Sequence, residues 1–222
     1  MTKLADFELR SMPGLWRWYD SSSRQLAFSA PSRAEAEAWQ QTLRDTLTRL
    51  LGGPHTSADL DARVIETVQE AGFTRELTVI QVQPGEYMPV YVLVPQPAAF
   101  PYKPVIAVHG HGSWGAGAIA GIAESDPQKQ FIAELNYDYA RQLALRGYLV
   151  FAPVLRGFAE RQEDRFEPVD SIPDPSMWLS SCRVLSLNAL LCGQTLLGLR
   201  VWDLRRLVDY IRTRPEPLID GL

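Results

Sequence analysis

Cysteine is scarce: Cys182 and Cys192 are the two in 222 residues, and both fall in a leucine-rich stretch that reads as helix. That pattern argues against a disulfide framework and for a reducing compartment. Basic charge is not in excess either, since 22 Lys and Arg stand against 26 Asp and Glu for a net charge of −4. A chain without a basic surplus lacks the electrostatic footprint of a nucleic-acid binder, so no nucleic acid is expected among its partners. The start, Met-Thr-Lys-Leu-Ala-Asp-Phe-Glu, has acids where a signal peptide needs an apolar run of about 7–15 residues. Long apolar runs are missing too. The stretch between Lys103 and Glu124 carries no Lys, Arg, Asp or Glu, but it holds five glycines and two histidines, which suits a strand and loop rather than a spanning helix. The expectation is a cytoplasmic protein with no membrane partner. What is abundant is ordinary for a folded chain, 46% hydrophobic and 22% charged residues, which excludes disorder and fibrous repeats.

Residues 1–30 show no clear period, and Trp16, Trp18, Tyr19 and Phe28 mark a segment that packs onto a body. From Pro31 the spacing predicts a helix with Ser32 as N-cap and Trp39, Leu43, Leu47, Leu50 and Leu51 on one face, stopped by Gly52-Gly53-Pro54. A polar stretch runs to Gly72. Then Leu77 to Val82 and Val90 to Val94, on either side of Pro84-Gly85-Glu86, read as an antiparallel hairpin. Val105 to Val108 is a short continuous apolar run, as in a central strand buried on both faces. Phe131, Leu135, Tyr139, Leu143 and Leu145 predict one helix capped by Gly147, followed by a second buried strand from Tyr148 to Pro153. Strand, helix and strand make a βαβ unit. A charged loop from Arg156 to Pro175 leads to Val184 through Arg214, where Gly193 and Gly198 predict two helices or a bend.

The segment His109-Gly110-His111-Gly112-Ser113-Trp114-Gly115 directly follows the buried strand. Its Gly110-x-Gly112-x-x-Gly115 spacing meets the dinucleotide fingerprint, but the next strand ends in Ala152-Pro153 without the acid that would bind a ribose. The same glycines suit an oxyanion loop, which turns a backbone N–H toward a substrate carbonyl and cannot tolerate side chains in the way. His109 and His111 are two ligands without a third, so they read as loop histidines and no metal is expected. Ser113 reads as a turn hydroxyl. Arg156, Glu160 and Arg161 either shape a pocket at the strand ends or form a solvated loop with internal ion pairs. Asp203 reads as an i,i+3 partner of Arg200 or Arg206.

In their order, Pro104 to Gly112, Tyr137 to Pro153, Arg156-Gly157-Phe158-Ala159-Glu160-Arg161 and Leu196 to Arg206 resemble the N-terminal half of the dienelactone hydrolase and acetyl xylan esterase-like branch of the α/β-hydrolases. The resemblance spans roughly residues 77–214. It implies an α/β fold: an incomplete α/β-hydrolase sheet, made of an antiparallel hairpin plus a parallel βαβ unit, with an N-terminal helical extension. Residues 1–72 would be the extension and 73–222 the first half of the hydrolase domain. Carboxylic ester hydrolysis without a cofactor is the implied activity of a complete relative. Gly110, His111 and Gly112 would form the oxyanion loop, and Trp114, Arg156 and Glu160 would line the substrate. The relatives' Gly-x-Ser-x-Gly elbow, acid and histidine have no counterpart here, so the triad would lie beyond Leu222 and this chain would be inactive alone. The alternative is a noncatalytic binding module or a nucleotide binder using the Gly110 loop. Ala159 stands where relatives often carry glycine. An open sheet edge would also favour self-association.

Overall fold

The computed structural model describes residues 8–53, 55–97, 101–111, 114–163 and 181–218. The chain forms two compact units, Met1–Leu47 and Thr48–Leu222. In the first, α1 (Met12–Ser21) precedes α2 (Arg33–Leu50). The Ser32 hydroxyl accepts the Glu35 N–H at 3.3 Å, as an N-cap should. The indole of Trp39 donates to the Leu26 carbonyl at 3.1 Å and meets Phe28 edge-on at 4.9 Å. Within α1, Trp16 meets Tyr19 edge-on at 5.8 Å.

The second unit is built on a sheet of five strands. These are β1 (Arg63–Glu70), β2 (Phe73–Gln83), β3 (Glu86–Pro95), β4 (Pro104–Ile106) and β5 (Leu149–Pro153), in spatial order β1-β2-β3-β5-β4. The expected hairpin is β2 with β3, closed by Gln83 opposite Glu86 and by Gly85 at φ +77°. β1 was not expected, because the stretch from Gly53 to Gly72 reads as polar; it is an outer strand with one half-buried and seven exposed residues. β4 and β5 pair in parallel, Val105 with Val150 and Ile106 with Phe151. The strand expected to be central is therefore the last of the sheet among the described residues, and Val108 just beyond it is 39% exposed.

Alternation sorts the strands into two cores. Tyr91, Leu93, Val150 and Ala152 face one side, under Ala116 and Ile119 of α3 (Gly115–Ile119) and Ala140 and Ala144 of α5 (Tyr139–Leu145). Val90, Val92, Leu149 and Phe151 face the other, under Leu207, Tyr210 and Ile211. With both faces covered, every residue of β5 is buried, which is why its sequence is apolar without alternation.

Two helical expectations change in detail. The single helix predicted around Phe131 to Leu145 is split into α4 (Asp126–Leu135) and α5, because Asn136 turns into the left-handed region at φ +51°. The long C-terminal run is two helices, α6 (Ser181–Leu191) and α7 (Leu196–Thr213), bent by 98° at Gly193 (φ +68°). Gly198 is not part of the break. It sits in the first turn of α7, where a Cβ would lie 1.9 Å from the Leu51 carbonyl oxygen. Among the described residues no single helix is long and apolar enough to cross a membrane.

Candidate functional site

The C-terminal ends of β4 and β5 bring together the loop after Ile106 and the loop after Pro153. In an open α/β sheet this is where ligands bind. Three polar contacts fix the first loop. The Tyr139 hydroxyl donates to the Val108 carbonyl at 2.7 Å, the Gly110 N–H donates to the Tyr137 hydroxyl at 2.9 Å, and His109 Nδ1 lies 2.9 Å from the Gly110 carbonyl. On the other side of its ring, His109 Nε2 accepts the Leu155 N–H at 3.1 Å. An acceptor at Nε2 requires the proton on Nδ1, so the imidazole is neutral and ties the two loops together. Burial, its exposure being 4%, holds its pKa below the ordinary histidine value.

These contacts decide what the loop can offer a ligand. The Gly110 N–H is engaged by Tyr137 and is not free for a ligand; a Cβ at this position would lie 3.0 Å from the same hydroxyl. The His111 N–H has no partner among the described residues, and its ring packs edge-on against Phe158 at 5.1 Å. Gly112 and Ser113 lie outside the described residues. Trp114 begins a row of rings, with Phe131 at 4.7 Å, then Tyr137 at 5.0 Å and Tyr139 at 5.6 Å.

The loop after β5 is not a solvated one. The Arg156 guanidinium donates to both oxygens of Asp203, at 2.9 and 2.8 Å, and also meets Glu86 and Gln83. Arg161 donates to Asp203 at 2.7 Å and to Glu86 at 3.0 Å. Asp203 is fully buried and pairs with this loop rather than with its helical neighbours Arg200 and Arg206. Those two serve elsewhere: Arg200 donates to the Arg156 carbonyl at 2.6 Å, and Arg206 pairs with Asp209 at 2.7 Å. Arg156 is thus committed to holding the loop. Glu160 accepts the Tyr91 hydroxyl at 3.3 Å, and burial together with this carboxylate pushes Tyr91 up to about 12.

Ala159, where glycine was the residue to expect, lies at φ +44°. The loop keeps the left-handed turn and carries the strain of a Cβ in it. Glycine at 159 is therefore expected to raise stability by about 0.5–1 kcal/mol, relief of strain outweighing the entropy of a glycine in the unfolded chain. A chemical denaturation midpoint that falls in Ala159→Gly would show that the turn is not strained.

Tyr137 and Tyr139 are the site residues that the sequence reading missed. Helical periodicity placed Tyr139 on an apolar face and gave no sign that either hydroxyl reaches a loop about thirty residues away. Among the described residues no serine or cysteine hydrogen-bonds a histidine, and no group of three His, Cys, Asp or Glu side chains could hold a metal. A shallow depression lined by Lys129, Asn136, Asp138 and Arg141 contains none of the expected site residues. The dinucleotide reading fares poorly, because the helix after the loop, α3, has only five residues and starts at Gly115 with φ +51°.

Against solved structures, the chain superposes on a protein from Bacteroides fragilis provisionally named an acetyl xylan esterase, with a TM-score of 0.71 and 17% identity, over 96% of this chain and 53% of that one. The fold is that of the α/β-hydrolases. A glucuronoyl esterase from Solibacter usitatus matches with a TM-score of 0.51 and 13% identity, over 86% of this chain and 55% of that one. Among the described residues the sheet ends at β4. The chain spans about half the length of the two solved structures. Neither a protein-family model nor a curated protein matches the sequence.

Proposed function

We propose that the chain carries the oxyanion side of an esterase active site for carboxylic esters, and that it is inactive alone because the serine, acid and histidine of the triad belong to sequence beyond residue 222. The observation that carries this reading is the pinned loop after β4. Tyr139, Tyr137 and His109 occupy the Val108 carbonyl, the Gly110 N–H and the Gly110 carbonyl, so the next N–H, that of His111, is held in place for a ligand oxygen. The partner is then a small ester. A serine would attack its carbonyl with a histidine taking the proton, and the His111 N–H with one further backbone N–H would stabilise the tetrahedral oxyanion. No cofactor enters this chemistry. Trp114 would face the acyl or alcohol portion, while Arg156 and Glu160 act through the loop they hold. A cytoplasmic setting is supported by Cys182 and Cys192, both free.

Two measurements test this. The coding sequence after codon 222 should encode a strand followed by Gly-x-Ser-x-Gly; an unrelated sequence would instead favour a noncatalytic binding module. The 222-residue chain should hydrolyse 4-nitrophenyl acetate no faster than an inert protein, since loss of a serine triad costs on the order of 10⁶ in kcat. Saturable turnover above that background would mean that the nucleophile lies within these residues.

A further inference from the structure

We propose that the Tyr137 hydroxyl donates a hydrogen bond to the substrate oxygen beside the His111 N–H, as a side-chain member of the oxyanion site; this rests on the esterase reading. The two tyrosines that reach the loop differ in where their protons go. Tyr139 has spent its own on the Val108 carbonyl at 2.7 Å. Tyr137 is an acceptor, taking the Gly110 N–H at 2.9 Å. A phenol oxygen that accepts one bond still has its proton to give, and among the described residues nothing takes it. Adjacent backbone nitrogens lie about 3 Å apart, so the hydroxyl oxygen is within about 6 Å of the His111 nitrogen. One ligand oxygen can accept from two donors across that span.

The hydroxyl is also held still. Tyr137 stands between α4 and α5, with its own N–H bonded to the Ile132 carbonyl at 2.9 Å. The side chains on either side of it, Asn136 and Asp138, both accept from the Gln142 amide, at 2.7 and 2.6 Å. Asp138 takes Arg141 as well, at 3.1 Å. The ring of Tyr137 meets Phe131 edge-on at 5.0 Å and Tyr139 at 5.6 Å. A donor fixed in this way needs little reorganisation when negative charge develops on the carbonyl oxygen, and a bond to a charged oxygen is the stronger kind. The proton stays on the phenol throughout, so the tyrosine lends a bond and transfers nothing.

NMR of the 222-residue chain, labelled at tyrosine Cζ and at the backbone nitrogens, tests this with two probes. Methylphosphonate presents anionic oxygens on a tetrahedral centre, as the oxyanion does, whereas methyl acetate is a neutral ester. Methylphosphonate should move the His111 amide and the Tyr137 Cζ signals with one dissociation constant, and leave the Tyr139 Cζ signal in place. Tyr137→Phe should weaken methylphosphonate at least about tenfold and methyl acetate less than about threefold, because the lost bond matters most to a charged oxygen. Tyr139→Phe removes a bond to the same loop but no donor to the ligand, and should affect the two probes alike. A Tyr137 Cζ signal that stays still while the His111 amide moves would overturn the proposal and leave the esterase reading standing. So would equal weakening of both probes by Tyr137→Phe, which would make the tyrosine a prop of the loop alone. If neither probe moves the His111 amide, the esterase reading fails and this proposal with it.

Discussion

Asparagine in place of Asp203 is expected to lower the unfolding free energy by about 3–5 kcal/mol, the largest loss anticipated for a conservative change in this chain. The carboxylate is fully buried and receives three charge-assisted bonds of 2.7–2.9 Å from Arg156 and Arg161. Both guanidiniums are themselves nearly buried, with side-chain exposures of 9% and 7%. Removing the inner anion leaves two cations out of water with Glu86, 38% exposed, as their remaining counter-charge. The native state cannot discard an arginine proton to relieve this. Glu86→Gln should cost far less, about 1 kcal/mol, because solvent reaches that carboxylate. Urea denaturation of the three proteins checks both numbers. Equal losses for Asp203→Asn and Glu86→Gln would show that the burial of Asp203 is not what matters.

His109→Ala is the second large effect, an expected loss of about 2–4 kcal/mol. It strips the partner from the buried Leu155 N–H, which costs about 1–3 kcal/mol, and empties the space of a buried ring that packs on Phe158, while the carbonyl of the exposed Gly110 turns to water. The same residue predicts a pH dependence. Burial holds its folded pKa below the ordinary value near 6.5. Above 6.5 the ring is neutral in both states and the interaction contributes in full. As pH falls below 6.5 the unfolded chain takes up a proton that the folded chain refuses, so stability drops at up to about 1.4 kcal/mol per pH unit. The drop ends at the folded pKa. His55, also depressed by burial, adds to it with the same sign. Melting curves between pH 8 and pH 5 should therefore shift less in His109→Ala than in the wild type. An unchanged shift would assign the pH dependence to other groups.

The parts of this fold that were legible in the sequence are those where local chemistry and tertiary structure agree. Gly52-Gly53 ends α2, Gly85 turns the hairpin, and the unbroken apolar run of β5 reflects a strand covered on both faces. β1 was illegible because an outer strand needs few apolar positions, and Val64 and Ile65 lie exposed at 56% and 60%. The split between α4 and α5 hangs on Asn136, one of the few residues that enter the left-handed region readily, and helical spacing on either side conceals it. At the site, the His-Gly turn was visible as a motif. Its geometry was not, because the Tyr137 and Tyr139 hydroxyls bridge separations of 27 and 31 residues. Asp203 shows the same limit: an i,i+3 rule supplies arginine partners on its own helix, while packing supplies better ones 47 and 42 residues away.

Treatment of the 222-residue chain with a fluorophosphonate, followed by peptide mapping, asks directly whether the oxyanion side stands here without its nucleophile. The expected result is no serine labelled above the level of the heat-denatured chain, beside an active serine esterase labelled one to one. A stoichiometric adduct on any serine of residues 1–222, lost on denaturation before treatment, would contradict the account and place a working nucleophile within these residues.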